Sequence, residues 1–122
     1  MRNYRKLRAF ELADKLAISV YRITTAFPKH EQFGLTSQLR RAAVSGASNI
    51  VEGSAKSSNS DYRRFLEIAY GSVCEVAYQL SLAQRLGYFD KIDSSEIMSL
   101  AAETARVLNG LIRSQQVSGD RK

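Results

Sequence analysis

Apolar residues return every three or four positions through almost the whole chain, and only three polar breaks interrupt them. That spacing keeps side chains on one flank of a 3.6-residue helix, whereas a strand needs alternation, which no stretch sustains. The breaks fall at residues 28–34, 53–60 and 87–92, and Pro28 is the only proline. Four segments of helical length remain, predicted at roughly residues 8–26, 35–53, 60–86 and 93–115. Short breaks between amphipathic helices make antiparallel neighbours. The predicted fold is therefore all-α, an up-and-down antiparallel four-helix bundle forming one domain over residues 1–122. An elongated α-hairpin completed by a second subunit is the competing architecture.

The stripes differ in kind. The first runs Phe10, Ala13, Ala17, Val20, Thr24, Phe27, with Leu16 and Ile23 beside it. The third runs Tyr62, Phe65 or Leu66, Ala69, Val73, Val76, Leu80, Ala83, Gly87, and the fourth Ile97, Leu100 or Ala101, Thr104, Leu108, Leu111. Asp93-Ser94-Ser95-Glu96 has the form of an N-cap followed by its capping-box acid, which would open the fourth helix. The second stripe, Leu35, Leu39, Ala42, Ala43, Gly46, Ile50, Gly53, is built largely of small residues. Glycine inside a helix costs about 1 kcal/mol relative to alanine. A closely approaching neighbour would offset that cost, which places helix 2 deepest in the assembly.

Composition closes off several classes. With 44% hydrophobic and 25% charged residues the chain is globular rather than disordered. The single cysteine, Cys74, forms no intrachain disulfide, which suggests a reducing compartment. The basic N-terminus runs into apolar residues broken by Glu11, Asp14 and Lys15, so no signal peptide is expected. No stretch reaches the ~18 apolar residues of a membrane span. A cytoplasmic location is the expectation. Catalysis has little to work with, since His30 lies in a loop and nothing places it beside Cys74. No cluster supplies three or four zinc ligands, and the Glu-x-x-His pairs of di-iron bundles are absent. The chain reads as a non-enzyme without metal or cofactor.

Three candidate sites remain. On helix 2, Gln38, Arg41, Ser45, Asn49 and Glu52 share a flank apart from the apolar one, with Ser48 among them. Their expected role is a structural polar network in which Arg41 and Glu52 pair directly or through neighbours; a ligand site is the alternative. Helix 3 is apolar on a second side, through Ile68, Gly71, Tyr78 and Leu82, which with Glu75 form a candidate oligomer interface. The alternative is a central helix touching two neighbours within the bundle. Third, the net charge of +6 is uneven: residues 1–34 carry seven basic and three acidic residues, residues 35–64 five and two, and residues 65–122 six and seven. An up-and-down bundle gathers the N-terminus, the helix 2–3 turn and the C-terminus at one end. That pole would hold Arg2, Arg5, Lys6, Arg8, Lys56, Arg63 and Arg64, the candidate nucleic-acid-binding residues, together with Arg113, Arg121 and Lys122, against Glu11, Glu52, Asp61 and Asp120. Basic charge of this sort attracts phosphate without naming a target. The polar turn at residues 53–60 lacks a P-loop pattern.

Several of these runs also resemble a known family. Residues 27–35 (FPKHEQFGL), Gln38-Leu39-Arg40-Arg41-Ala42, Asn49-Ile50-Val51-Glu52-Gly53, residues 65–72 (FLEIAYGS), Glu75 and Leu86-Gly87-Tyr88 are similar to the 23S rRNA intervening-sequence proteins, in order, over roughly residues 7–112. The resemblance implies a four-helix bundle assembled as a five-subunit ring, and kinship with the accessory bundle of diversity-generating retroelements, which is thought to bind nucleic acid and a reverse transcriptase. It carries over no catalytic residue. Two functions follow as expectations: an oligomeric scaffold contacting RNA or DNA through its basic pole, or a protein-interaction module in which the charge is incidental. The expected partners are copies of itself, with nucleic acid or a protein, and no membrane.

Overall fold

The computed structural model describes the backbone of residues 2–120 and the side chains of residues 2–115. Four helices follow one another, α1 (Arg8–Thr24), α2 (Leu35–Ser54), α3 (Asn59–Arg85) and α4 (Lys91–Asp120). Two single 3-10 turns precede α1 and α2, at Tyr4–Lys6 and Lys29–Glu31. Each helix packs on its sequence neighbours, and α1 closes the ring against α4. The result is the antiparallel up-and-down bundle that the sequence predicted.

The core lies along the four facing stripes. Leu16, Val20, Leu39, Ile50, Leu66, Val73, Val76, Leu80 and Leu108 are almost wholly removed from water. Stripes two and three are buried as read, apart from Gly87. The first is rotated: Ala9, Leu12, Ala13 and Leu16 face inward, while Phe10, Ala17 and Ile23 are only half-buried. On α4, Ala101 and Ile112 are buried while Leu100 and Leu111 sit at the core's edge. Both corrections have one cause. Adjacent apolar residues offer two stripes about 100° apart, and only the neighbouring helices choose between them. The buried hydroxyls of Thr24, Ser54 and Thr104 donate to the carbonyls four residues back at 2.7–2.8 Å, so they bring no unpaired group inside.

The small residues of α2 produce the close approach expected of them. A Cβ on Gly46 would lie 3.1 Å from Val73 Cγ2, and one on Gly53 would lie 2.8 Å from Phe65 Cβ. The approach is to α3, and nine of the 20 residues of α2 are buried, against six of 17 in α1 and nine of 27 in α3. Gln38, Arg41, Val44, Ser48 and Glu52 remain as an exposed outer ridge. In a square bundle every helix keeps one such ridge.

Helix ends explain the boundaries. Ser58 Oγ accepts from the Asp61 amide at 3.1 Å and caps α3. Gly87, at φ 77°, ends it. The Gly87 amide donates to Gln84 O and the Tyr88 amide to Ala83 O, the paired bonds of a Schellman turn. The cap of α4 is Asp90 and not Asp93. Asp90 Oδ1 accepts from the Asp93 amide at 2.8 Å, so the helix begins at Lys91, three residues earlier than a cap at Asp93 would start it. Asp93 instead lies in the first turn, where a carboxylate favours the helix N-terminus.

The pole carrying the α1–α2 and α3–α4 connections is locked by the FPKHEQFGL segment. Phe27 packs on Tyr88 and Phe89, with ring centroids 5.4 and 5.8 Å away. Glu31 accepts from the Leu35 amide at 3.0 Å and from the Tyr88 hydroxyl at 2.7 Å. Those two bonds, the amide first, hold the Glu31 carboxyl below its ordinary 4.5, while the Tyr88 phenol is pushed up chiefly by the same bond to Glu31.

Candidate nucleic-acid interface

The opposite pole brings the segment ahead of α1 against the α2–α3 turn. The Arg2 amide donates to Ser54 O at 3.3 Å, and the Tyr4–Lys6 turn lies against both α1 and α2. The seven basic residues singled out from sequence divide into three groups here. Arg5 and Lys6 are exposed, and neither they nor Lys56 and Arg63 form an ion pair among the described residues. Lys56 and Arg64 flank the Phe65 ring, with charged centres 5.0 and 4.7 Å from its centroid. Arg64 has only a loose contact with Asp61, at 3.9 Å.

Arg8 is otherwise engaged, bridging to Glu103 at 3.2 Å and Glu11 at 3.5 Å. Exposed pairs of this kind are worth only about 0–1 kcal/mol, so Arg8 is weakened as a phosphate contact rather than removed. Arg2 does not belong with the outward cations. Its Nη1 donates to Lys56 O at 2.8 Å, its Nη2 reaches Asn59 Oδ1 at 3.2 Å, and its guanidinium covers the Tyr62 ring at 4.0 Å. Burial pushes the Tyr62 phenol up, and the positive charge of Arg2 opposes that shift. A hollow of about 490 Å³ lies beside this contact, lined by Arg2, Ala55, Lys56 and Ser57. Arg113 is exposed on α4. Arg121, Lys122 and the Asp120 side chain lie outside the described residues.

The polar flank of α2 forms half of the expected network. Ser45 Oγ meets Ser72 Oγ at 2.8 Å, and Asn49 Nδ2 donates to the carbonyl and hydroxyl of Ser45 at 2.8 and 3.0 Å. Gln79, 5% exposed, donates to Glu75 Oε2 at 3.1 Å and Gln38 Oε1 at 3.4 Å, while its own carbonyl oxygen has no partner. Arg41 and Glu52 do not pair. They stand eleven residues apart on one helix, about 16 Å along its axis, and both are exposed. Arg41 instead lines a cleft of about 360 Å³ with Gln38, Ala42, Ser45, Ser72 and Glu75. The α3 half of this network, Ser72 and Gln79, was missed. A polar residue at the edge of an apolar stripe announces itself only when its partner helix is known.

On α3, Tyr78 is 60% and Ile68 43% exposed, and nothing lies within 4 Å of a Cβ placed on Gly71. Glu75 is exposed beside them, whereas Leu82 is half-buried against the core. Cys74 is exposed on the outer surface of α3. His30 is exposed, its Nε2 3.4 Å from the Tyr88 hydroxyl. Among the described residues no three His, Cys, Asp or Glu side chains gather where they could hold a metal ion. No described helix is long and apolar enough to cross a membrane.

Fold and site together define an all-α four-helix bundle with cations gathered at one pole and a polar seam between α2 and α3. The chain belongs to the 23S rRNA-intervening sequence protein family, whose model matches residues 5–110. Among solved structures, it is similar to a protein of unknown function from the S23 ribosomal protein family of Bacteroides thetaiotaomicron. The two share 22% identity at a TM-score of 0.78, over 86% of this chain and 95% of that one, a likeness of fold. No curated protein matches the chain.

Proposed function

We propose that the protein is a non-enzymatic, homo-oligomeric bacterial scaffold of the cytoplasm that binds RNA or DNA through its basic pole. The observation that supports this reading is the convergence of Arg5, Lys6, Lys56, Arg63 and Arg64 on one end of the bundle. Among the described residues none of them is neutralised except loosely, Arg64 by Asp61. The acidic residues described at that pole, Glu11, Glu52 and Asp61, do not cancel them. A ring of subunits, five by family resemblance, repeats the pole, so weak phosphate contacts add through high effective concentration. Contacts of this type read the backbone and not the bases.

The test is binding to RNA and DNA duplexes across a salt series. Each phosphate neutralised adds about 0.9 to the slope of log affinity against log salt for B-DNA. Binding should weaken steeply with salt, and Arg63→Ala with Arg64→Ala should flatten that slope. No binding at low salt, or affinity indifferent to ionic strength, removes the proposal.

Exposure of Ile68 and Tyr78 favours a second reading, in which the outer face of α3 joins subunits or holds a protein partner. In a pure interaction module, the Arg63 and Arg64 substitutions leave partner capture intact, while a charge placed at Tyr78 abolishes it.

A further inference from the structure

One residue, Arg2, makes the hydrogen bonds that tie the segment ahead of α1 to α2, the α2–α3 turn and α3. Arg2 reaches the end of α2 through the hydrogen bond that its backbone amide donates to Ser54 O, the α2–α3 turn through Lys56 O, and the first turn of α3 through Asn59 and Tyr62. Asn3 then caps the short turn by accepting from the Arg5 amide at 3.2 Å, and Tyr4 sets its ring edge-on to Phe10 at 4.7 Å. The arm fills a gap. α1 has 17 residues against 27 in α3, and at this end Tyr4 and Leu7 pack on the core where a longer α1 would lie.

We infer that Arg2 is a positioning residue that clamps this arm across the α2–α3 turn, holding Arg5 and Lys6 on the same cationic surface as Lys56, Arg63 and Arg64. The inference rests on the nucleic-acid reading above and assigns Arg2 a different part in it. A guanidinium is a planar fork that can bridge two fixed acceptors and stack on a ring at once. Here its donors are directed at Lys56 O and Asn59 Oδ1, so its charge is turned inward. Lysine keeps the charge but is a compact point donor without that fork. A single 3-10 turn is too short to persist unaided. Once unclamped, Arg5 and Lys6 must be ordered afresh on each binding event, which weakens their contribution.

The experiment compares the full-length protein with Arg2→Lys, each with and without Arg5→Ala and Lys6→Ala, by affinity for a DNA duplex at low salt. Limited trypsin cleavage after Lys6 is followed in parallel on the protein without nucleic acid. In the native background, loss of Arg5 and Lys6 should weaken binding about tenfold, and in the Arg2→Lys background about twofold or less, a coupling of the size seen between contacting sites. Cleavage after Lys6 should accelerate several-fold in Arg2→Lys while the helical signal is unchanged. Asn59→Ala, which removes one acceptor from the opposite side, should reproduce both effects and carries the test if Arg2→Lys misfolds.

A protected arm and an undiminished Arg5/Lys6 effect in Arg2→Lys would overturn the clamp. So would normal behaviour of Arg2→Lys beside weakened binding by Arg2→Ala, because Arg2 would then act through its charge. If the native protein itself fails to bind at low salt, the nucleic-acid reading falls and this inference falls with it. A native protein that binds alongside a negative Arg2→Lys result removes this inference alone.

Discussion

Consider replacing Gly53 with alanine. The new Cβ would stand 2.8 Å from Phe65 Cβ and 3.3 Å from the Tyr62 carbonyl oxygen. Carbon atoms rest comfortably at ~3.5–4.0 Å, so α2 and α3 must part by about 0.7 Å there, or Phe65 must move. Overpacking of this kind costs about 1–3 kcal/mol. Against it stands the gain in helix propensity, at most about 1 kcal/mol and smaller near a helix end such as this. The balance is a loss of about 1 kcal/mol, which for a chain of 122 residues lowers Tm by about 4 °C. Gly110→Ala is the control. It lies within α4 with nothing inside 4 Å of its Cβ position, so the same substitution there should raise Tm by about 2–4 °C. Thermal unfolding followed by far-UV circular dichroism, at one protein concentration so that any association is held constant, reads both. A rise in Tm for both variants would refute the close α2–α3 approach.

Three further outcomes are expected. Glu31 has a lowered folded-state pKa, so its contribution is present above pH 4.5 and is lost as pH falls through the folded value; an acid unfolding series should show this loss in the native protein and not in Glu31→Gln. Asp90→Ala should destabilise by about 1 kcal/mol and Asp93→Ala by only about 0.3 kcal/mol, read from urea midpoints, and the reverse order would restore Asp93 as the cap. Ile68→Glu or Tyr78→Glu should leave the helical signal intact and reduce the mass in solution to that of one subunit, whereas an unchanged mass means that the outer face of α3 is not the interface.

Period and punctuation alone determined that there are four helices, that they run antiparallel, and that the faces of α2 and α3 point inward. These are local properties, because a 3.6-residue repeat and a glycine at positive φ act within a few residues of themselves. Where two stripes or two caps competed, the sequence could not choose. Phe10 and Ala17 compete with Ala9 and Leu16, and Asp90 competes with Asp93 over three residues. Ser57, Ser58, Asn59 and Ser60 are all good caps in a row, and in the folded chain it is Ser58 that is extended and accepts from the Asp61 amide. The pole was legible from topology, but which cations face water was not. Arg2 and Arg5 look alike in sequence, and only the nearness of the Lys56 carbonyl, Asn59 and Tyr62 turns one inward. Arg41 and Glu52 differ in kind: eleven residues of one helix set them about 16 Å apart, so spacing alone rules out a direct pair. Side-chain partners on other helices are set by the packing of backbones far apart in sequence, so their identities emerge only when the bundle closes.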